Sequence, residues 1–350
     1  MAERRHITFI LGSLGRGGAE RVTSILANDY AEKNWDVDVI LLLFNKVDYK
    51  INSNIKILDF TGNSKSRIKR LPYWIKNLYK YAKKNKPDII LSFAARINII
   101  ACIACKKYAK KLFVSERNDP YKDGRSRLVD SLTKILYPQT DGVVFQTKRA
   151  TTYFPKLTNG IIIANPINVS NIAKKNKRKK IVAVGRLTIQ KNHKMLINAF
   201  YNILQEFPEY ILEIYGDGEL KEELINQSKM LCIENKVFIM GNVPNIHERI
   251  SDAELFVLSS NYEGLSNALL EAMMMGIPCI STNCAGSDEY INNNENGILI
   301  PIGDEQALKT AIKKMLSDDE FRTKCGNMAK RDSLKYNSEE VIKKWHNLMD

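Results

Sequence analysis

The sequence has no apolar run near the roughly 20 residues that a bilayer-spanning helix needs. Its start, residues 1–6, is charged, and the apolar run at 7–11 is too short for the core of a secretory leader, so a cytoplasmic protein is expected. Histidine is scarce: His6, His193, His247 and His346 are the 4 present, and they are widely scattered. The 6 cysteines offer a single CxxC, Cys102 and Cys105, with no second pair among Cys232, Cys279, Cys284 and Cys325, so a structural zinc site is not expected. Those two thiols stand three apart in the apolar run 97–105 and read as helix core. Glycine (18) and proline (10) are dispersed, which leaves no low-complexity or disordered tract. Acidic residues are sparse in the first half: residues 1–180 carry 36 Lys and Arg against 14 Asp and Glu, whereas 181–350 carry 17 against 25. A basic half points to a polyanionic or membrane-surface partner.

What is present is a long alternation. Uniformly apolar, Ile- and Val-rich runs at 7–11, 37–43, 88–92, 111–115 and 142–145, then 180–184, 210–215, 236–239, 254–258, 278–280 and 297–300, are separated by amphipathic stretches. Strands buried on both faces and joined by helices give this pattern, so an α/β fold of parallel sheets is predicted. At 350 residues two domains are expected. The series restarts after the polar, basic stretch 168–180, which follows Asn165-Pro166. The expected organisation is a Rossmann-like domain at 1–166, a second at 167–335, and a helix at 336–350 returning to the first. Such units bind ligands at the carboxyl ends of their strands, and two facing units would share a cleft.

Three loops carry candidate chemistry, and each has a plainer reading. Gly12-Ser13-Leu14-Gly15-Arg16-Gly17-Gly18-Ala19-Glu20 leaves a strand and opens a helix, as a phosphate cradle or as a tight turn. It matches neither the dinucleotide fingerprint, because Leu14 stands where glycine is needed, nor a Walker A loop. In Gly185-Arg186-Leu187-Thr188-Ile189-Gln190-Lys191-Asn192, two cations five apart follow a strand; they could neutralise a diphosphate or simply be solvated. In Glu263-Gly264-Leu265-Ser266-Asn267-Ala268-Leu269-Leu270-Glu271, Ser266 can cap a helix whose amides face an anion, while Glu271 can accept ribose hydroxyls. The alternative is a capped surface helix with ordinary glutamates. Asp36-Val37-Asp38 has DxD spacing but lies at a strand start, and it reads as solvated.

At these motifs the sequence resembles the retaining GT-B glycosyltransferases numbered family 4, whose signature is two glutamates separated by seven residues. The resemblance extends to Tyr215-Gly216-Asp217-Gly218, to Gly276-Ile277-Pro278, and to Gly17-Gly18-Ala19-Glu20-Arg21. It implies two facing doubly wound domains and a nucleotide-sugar donor, UDP-linked and leaving UDP, with no further cofactor and no metal. It also implies that Arg186 and Lys191 hold the donor diphosphate, that Gly17 and Gly18 let the first loop close over it, and that Gly216 lies in the donor site. The backbone of Gly264 and Leu265, with Ser266 and Asn267 beside it, would meet the phosphates. Glu271 would bind the ribose, and Gly241-Asn242-Val243 the base. Glu263 would contact the transferred sugar, so Glu263, Arg186 and Lys191 form the catalytic group.

Many members carry a histidine after the strand equivalent to 88–92. This sequence reads Ser92-Phe93-Ala94-Ala95-Arg96-Ile97-Asn98 there, so that role is not carried over. Arg96, Asn98, Glu116 and Arg117, within Arg96-x-Asn98 and Ser115-Glu116-Arg117-Asn118, resemble the subset that adds N-acetylgalactosamine or related sugars to polyprenyl-diphosphate oligosaccharides, which marks them as acceptor residues. Ser266 replaces the signature's usual proline. A lipid-linked acceptor would place the protein at the inner face of the membrane. The segment 66–87 suits that: Ile68, Leu71, Ile75, Leu78 and Ala82 share a helical face expected to pack on the N-terminal sheet, while the surrounding Arg67, Lys69, Arg70, Lys76, Lys80, Lys83, Lys84 and Lys86, with Tyr73, Trp74, Tyr79 and Tyr81 as interface aromatics, suit a membrane surface. The competing classes are a nucleotide-sugar epimerase or phosphorylase of the same fold and a nucleic-acid-binding protein; no RNA-binding motif, helix-turn-helix or finger spacing supports the last.

Overall fold

A computed structural model describes residues 4–15, 17–62, 66–167, 169, 176–284 and 286–349, apart from the side chains of Arg67 and Ile68. Arg16 and most of the 168–180 stretch therefore lie outside the described residues. The chain divides into two compact units, 1–166 with 339–350, and 167–338.

In the first unit the order is β1 (His6–Leu11), α1 (Gly18–Glu32), β2 (Asp36–Leu41), β3 (Lys56–Asp59), α2 (Arg67–Asn85), β4 (Ile89–Phe93), α3 (Ala95–Cys105), β5 (Lys111–Ser115), α4 (Arg127–Leu136), β6 (Gly142–Phe145), α5 (Lys148–Thr152) and β7 (Gly160–Ile162). Its sheet has seven strands in the order β3-β2-β1-β4-β5-β6-β7, and every pairing is parallel. The second unit runs β8 (Arg178–Val184), α6 (His193–Tyr201), β9 (Ile211–Tyr215), α7 (Lys221–Met230), β10 (Val237–Gly241), α8 (Ile246–Ile250), β11 (Ala253–Leu258), α9 (Asn267–Met274), β12 (Cys279–Thr282), α10 (Ser287–Tyr290), β13 (Ile298–Ile300), α11 (Glu305–Ser317) and α12 (Asp319–Ser333). Its six strands are ordered β10-β9-β8-β11-β12-β13 and are again parallel.

Each sheet reverses its direction of travel once, between β1 and β4 in the first unit and between β8 and β11 in the second. At such a switch point the two outgoing loops run to opposite sides and leave a crevice at the carboxyl ends of the strands. The central strands are buried on both faces, β11 over its whole length, as their unbroken apolar sequences require. Helix α13 (Ser338–Met349) joins the first unit, where Val341, Trp345 and Met349 are fully buried with Leu26 and Tyr30 of α1. His346 fixes the helix further, with Nε2 2.6 Å from Asp29 Oδ2.

Several expectations are corrected here. β3 and β7 were not foreseen; both are edge strands, short, with largely exposed residues. The basic stretch ending at 180 is not wholly linker, because β8 begins at Arg178 and Lys180 is buried between Glu213 and Asp252 at 3.0 and 2.6 Å. Asp38 is not solvated: it is buried and accepts from the Tyr81 hydroxyl, with His6 Nε2 at 3.1 Å. In α2 the inward face is Trp74, Leu78, Tyr81 and Ala82, whereas Leu71 is exposed, because a 3.6-residue period carries the stripe round the helix. Trp74 and Tyr81 are thus core residues, and only Tyr73 and Tyr79 present aromatic rings outward. Cys102 and Cys105 lie in the core, and burial pushes both thiols up to about 12.

Candidate active site

The second unit's switch point brings the two charged motifs together. The loop leaving β8 (residues 185–192) and the loop leaving β11 (259–266) are laced by hydrogen bonds. Asn261 N donates to the Gln190 carbonyl at 2.8 Å, Asn261 Nδ2 to the Ile189 carbonyl at 2.8 Å, and Gln190 Nε2 to the Tyr262 carbonyl at 3.0 Å. Arg186 Nη2 in turn donates to Gln190 Oε1 at 3.1 Å. Lys191 Nζ reaches Glu263 Oε1 at 2.5 Å, and the Ser260 hydroxyl donates to the same oxygen at 2.6 Å. Both charged side chains are largely buried, with 12% and 8% of their surface exposed. A cation and a carboxylate held side by side at the mouth of a parallel sheet can serve a substrate that carries both a phosphate and sugar hydroxyls.

Two glycines let the backbone come close enough for this. Gly216 leaves β9 at φ +143°, and a β-carbon there would lie 1.9 Å from the Gly185 carbonyl oxygen, so only glycine fits. A β-carbon on Gly185 would lie 3.0 Å from Lys191 Cδ, because the lysine stem crosses that glycine on its way to Glu263. Beside them is a pocket of about 260 Å³, walled by Val184 to Arg186, Tyr215 to Asp217, Gly241 to Val243 and Ile246. It gathers the predicted donor residues Arg186, Gly216, Gly241, Asn242 and Val243.

Helix α9 starts at Asn267, with Ser266 as its cap accepting from Leu269 N at 3.4 Å. Leu265 is buried and Gly264 half-buried ahead of it. Glu271, one turn further on, is buried at 8% exposure, and His247 Nε2 of α8 lies 3.2 Å from its Oε2. His247 was not singled out from the sequence: a lone histidine in a polar stretch gives no signal of a partner 24 residues away. His193, the first residue of α6, is also buried; loss of solvation, aided by the Lys191 charge, pushes its pKa down to about 4 and keeps it neutral. Among the described residues no group of three or more His, Cys, Asp or Glu side chains could hold a metal ion.

The first unit's switch point holds the remaining candidates. Gly17 is the extended N-cap of α1, with its carbonyl accepting from Tyr49 Oη at 3.1 Å. Glu20 folds back over it, so that a β-carbon on Gly17 would lie 2.2 Å from Glu20 Oε2, and burial raises the Glu20 pKa. Gly18 begins the helix. At the exit of β4, where the family's histidine is missing, Ala94 sits at φ +75°, a left-handed conformation rare outside glycine.

The four acceptor candidates are not equivalent. Arg96 is exposed in the first turn of α3. Arg117 is half-buried, stacked 5.4 Å over the Phe93 ring and 5.5 Å over the Trp345 ring, with Nη1 donating to Asn165 Oδ1 at 3.0 Å. Asn98 and Glu116 are buried supports rather than surface groups. Asn98 Nδ2 donates to the Ser115 carbonyl and to Tyr137 Oη, both at 3.1 Å, while Ser92 Oγ donates to its Oδ1 at 2.8 Å. Glu116 accepts from the Tyr137 hydroxyl and from Arg125 Nη2 at 3.0 Å; burial raises its pKa even so. Polar groups at buried strand ends must be satisfied internally, and these two do so.

Two Rossmann-like parallel-sheet units, with Arg186 and the Lys191–Glu263 pair at the switch point of the second, give the GT-B architecture. The family described as "Glycosyl transferases group 1" matches residues 165–332, and "Glycosyltransferase Family 4" matches 16–169. A Campylobacter jejuni enzyme named N-acetylgalactosamine-N,N'-diacetylbacillosaminyl-diphospho-undecaprenol 4-alpha-N-acetylgalactosaminyltransferase is 31% identical over 93% of this chain and 97% of its own. A second C. jejuni enzyme, a GalNAc-alpha-(1->4)-GalNAc-alpha-(1->3)-diNAcBac-PP-undecaprenol alpha-1,4-N-acetyl-D-galactosaminyltransferase, is 28% identical over 98% of both chains. The crystal structure of Anabaena HepE in complex with UDP and glucose superposes with a TM-score of 0.82 at 18% identity, covering 98% of this chain and 99% of that one. The chain belongs to the family 4 glycosyltransferases, and it is a transferase enzyme.

Proposed function

We propose that this enzyme transfers a hexose or N-acetylhexosamine from a UDP-sugar, with retention of anomeric configuration, to a glycan carried on polyprenyl diphosphate. The observation that carries this reading is the Lys191–Glu263 pair, set with Arg186 beside the 260 Å³ pocket. Arg186 and Lys191 offset the charge that grows on the diphosphate as its bond to the sugar C1 breaks. The acceptor oxygen bonds C1 from the same face, and its proton passes to the departing phosphate. Glu263 orients sugar hydroxyls, Glu271 accepts from the ribose, and the base lies along Gly241 to Val243. Two cations and helix amides supply the stabilisation a metal would otherwise give, so activity should survive excess EDTA.

The acceptor class is supported by the names of the two C. jejuni relatives. It is also supported by α2, whose Lys69, Lys76, Lys80, Lys83, Lys84 and neighbouring Lys86 are exposed beside outward Leu71, Tyr73 and Tyr79. Among the described residues no helix is long and apolar enough to cross a membrane. Each such lysine near an anionic bilayer contributes on the order of 1 kcal/mol, enough collectively for reversible attachment at the cytoplasmic leaflet. The reading is tested by thermal unfolding with a panel of nucleotide sugars. The matching donor at 100 times its Kd should add roughly 2.7 kcal/mol of stability, whereas no protection by any UDP-sugar would reject it.

A further inference from the structure

We infer that Ser260 is a positioning residue for Glu263: it fixes the carboxylate through one oxygen and leaves the other, Oε2, to meet a hydroxyl of the transferred sugar. This rests on the sugar-facing role proposed above for Glu263. Ser260 is the second residue after β11 and is fully buried. Its hydroxyl donates to Glu263 Oε1 at 2.6 Å, the same oxygen that Lys191 Nζ reaches at 2.5 Å. Among the described residues these are the only two donors to the Glu263 carboxylate, and both take Oε1.

The serine is itself tied to the sheet. Its carbonyl accepts at 2.6 Å from Thr282 Oγ1, a fully buried hydroxyl on the last residue of β12. The neighbouring Ser259 Oγ donates to the Lys191 carbonyl at 2.9 Å, which fastens the lysine's loop to the same turn. The Ser260 hydroxyl therefore stands at a point set by the strands. The terminal torsion of a glutamate is soft and broad. A half-turn merely exchanges the two oxygens, but at intermediate angles neither is aimed at the sugar, and a second donor converging on Oε1 removes those angles. Lys191 cannot do this alone. Its ammonium also answers the charge that grows on the diphosphate, and is drawn from Glu263 as the bond to C1 breaks. A neutral hydroxyl feels no such pull and keeps the carboxylate in place through that step.

A double-mutant cycle tests this. Wild type, S260A, E263Q and S260A/E263Q are compared in single-turnover transfer to an undecaprenyl-diphosphate-linked glycan, with enzyme in excess and saturating donor. The donor is whichever of UDP-glucose, UDP-galactose, UDP-N-acetylglucosamine and UDP-N-acetylgalactosamine wild type transfers fastest, and UDP binding is measured beside it by calorimetry. A positioning role predicts that S260A slows transfer about tenfold, the scale of one hydrogen bond to a charged group, while UDP, which lacks the sugar, binds within about twofold of wild type. In the E263Q background the carboxylate is gone, so adding S260A should slow transfer by less than about twofold more. An unchanged rate in S260A overturns the inference, as does an equal fold-loss in both backgrounds or a matching loss of UDP affinity, the marks of a merely structural serine. E263Q separates the two layers. A wild-type rate in E263Q removes the sugar role of Glu263 and the inference with it, whereas a loss in E263Q with none in S260A removes the inference alone. No transfer of any of the four donors by wild type rejects both.

Discussion

Replacing Lys191 by methionine keeps the stem that covers Gly185 and removes only the charge, so the variant isolates the Lys191–Glu263 pair. At 2.5 Å, with 12% and 8% of the side chains exposed, the pair is mostly shielded from water. Removing one partner of a fully buried pair costs about 3–5 kcal/mol. Glu263 here keeps the Ser260 hydroxyl at 2.6 Å and the pair is not wholly sealed from water, which lowers the expected loss to about 2–3 kcal/mol. For a unit of this size that is a fall in Tm of roughly 5–10 °C, readable by calorimetry on the full chain. Adding E263Q removes the stranded carboxylate and should restore at least about 1 kcal/mol. Turnover behaves differently: K191M should lose about 100-fold or more in kcat, and the double variant should stay inactive. A K191M Tm within 1 °C of wild type, or a double variant no more stable than the sum of the single changes, would show that the pair is screened and would refute this reasoning.

Gly216→Ala forces a β-carbon to within 1.9 Å of the Gly185 carbonyl at an unsuitable φ, so it should cost about 2 kcal/mol or more and abolish nucleotide protection; normal protection would be the contrary result. His193 has a folded pKa of about 4 against about 6.5 unfolded, so the unfolded chain takes up the proton first and stability falls as pH drops from 6.5 towards 4. Urea unfolding should therefore show wild type losing roughly 2–3 kcal/mol more than H193Q between pH 7 and 4.5, and parallel losses would contradict it. Reversing Lys76, Lys80, Lys83 and Lys84 to Glu should abolish co-sedimentation with anionic vesicles and impair transfer to a lipid-linked acceptor far more than to a soluble analogue. Equal loss on both acceptors would leave α2 a merely solvated helix.

The sequence made the central strands and the donor loops legible for one reason: a strand buried on both faces must be apolar throughout, and the loops that follow such strands are where charge becomes conspicuous. Arg186, Lys191, Glu263 and Glu271 stood out in this way, and the structure places all of them round one switch point or on the helix that follows it. The edges were not legible. β3, Lys-Ile-Leu-Asp, and β7, Gly-Ile-Ile, are too short and too exposed to show either period. Neither were buried polar groups, because a polar side chain looks the same in sequence whether it faces water or a partner: Asn98 and Glu116 were taken for ligand contacts and are held inside by Ser92, Arg125 and Tyr137. The same blindness hid the approach of His247 on α8 to Glu271 on α9.

The most direct test of the account is transfer itself: incubation of the enzyme with UDP-N-acetylhexosamines or UDP-hexoses and an undecaprenyl-diphosphate-linked glycan, in EDTA, with the anomeric configuration of the product read by NMR. The account predicts an α-linked product from an α-linked donor, and turnover reduced about 100-fold or more in both R186A and E263Q. An inverted linkage, or variants that turn over at the wild-type rate, would contradict it.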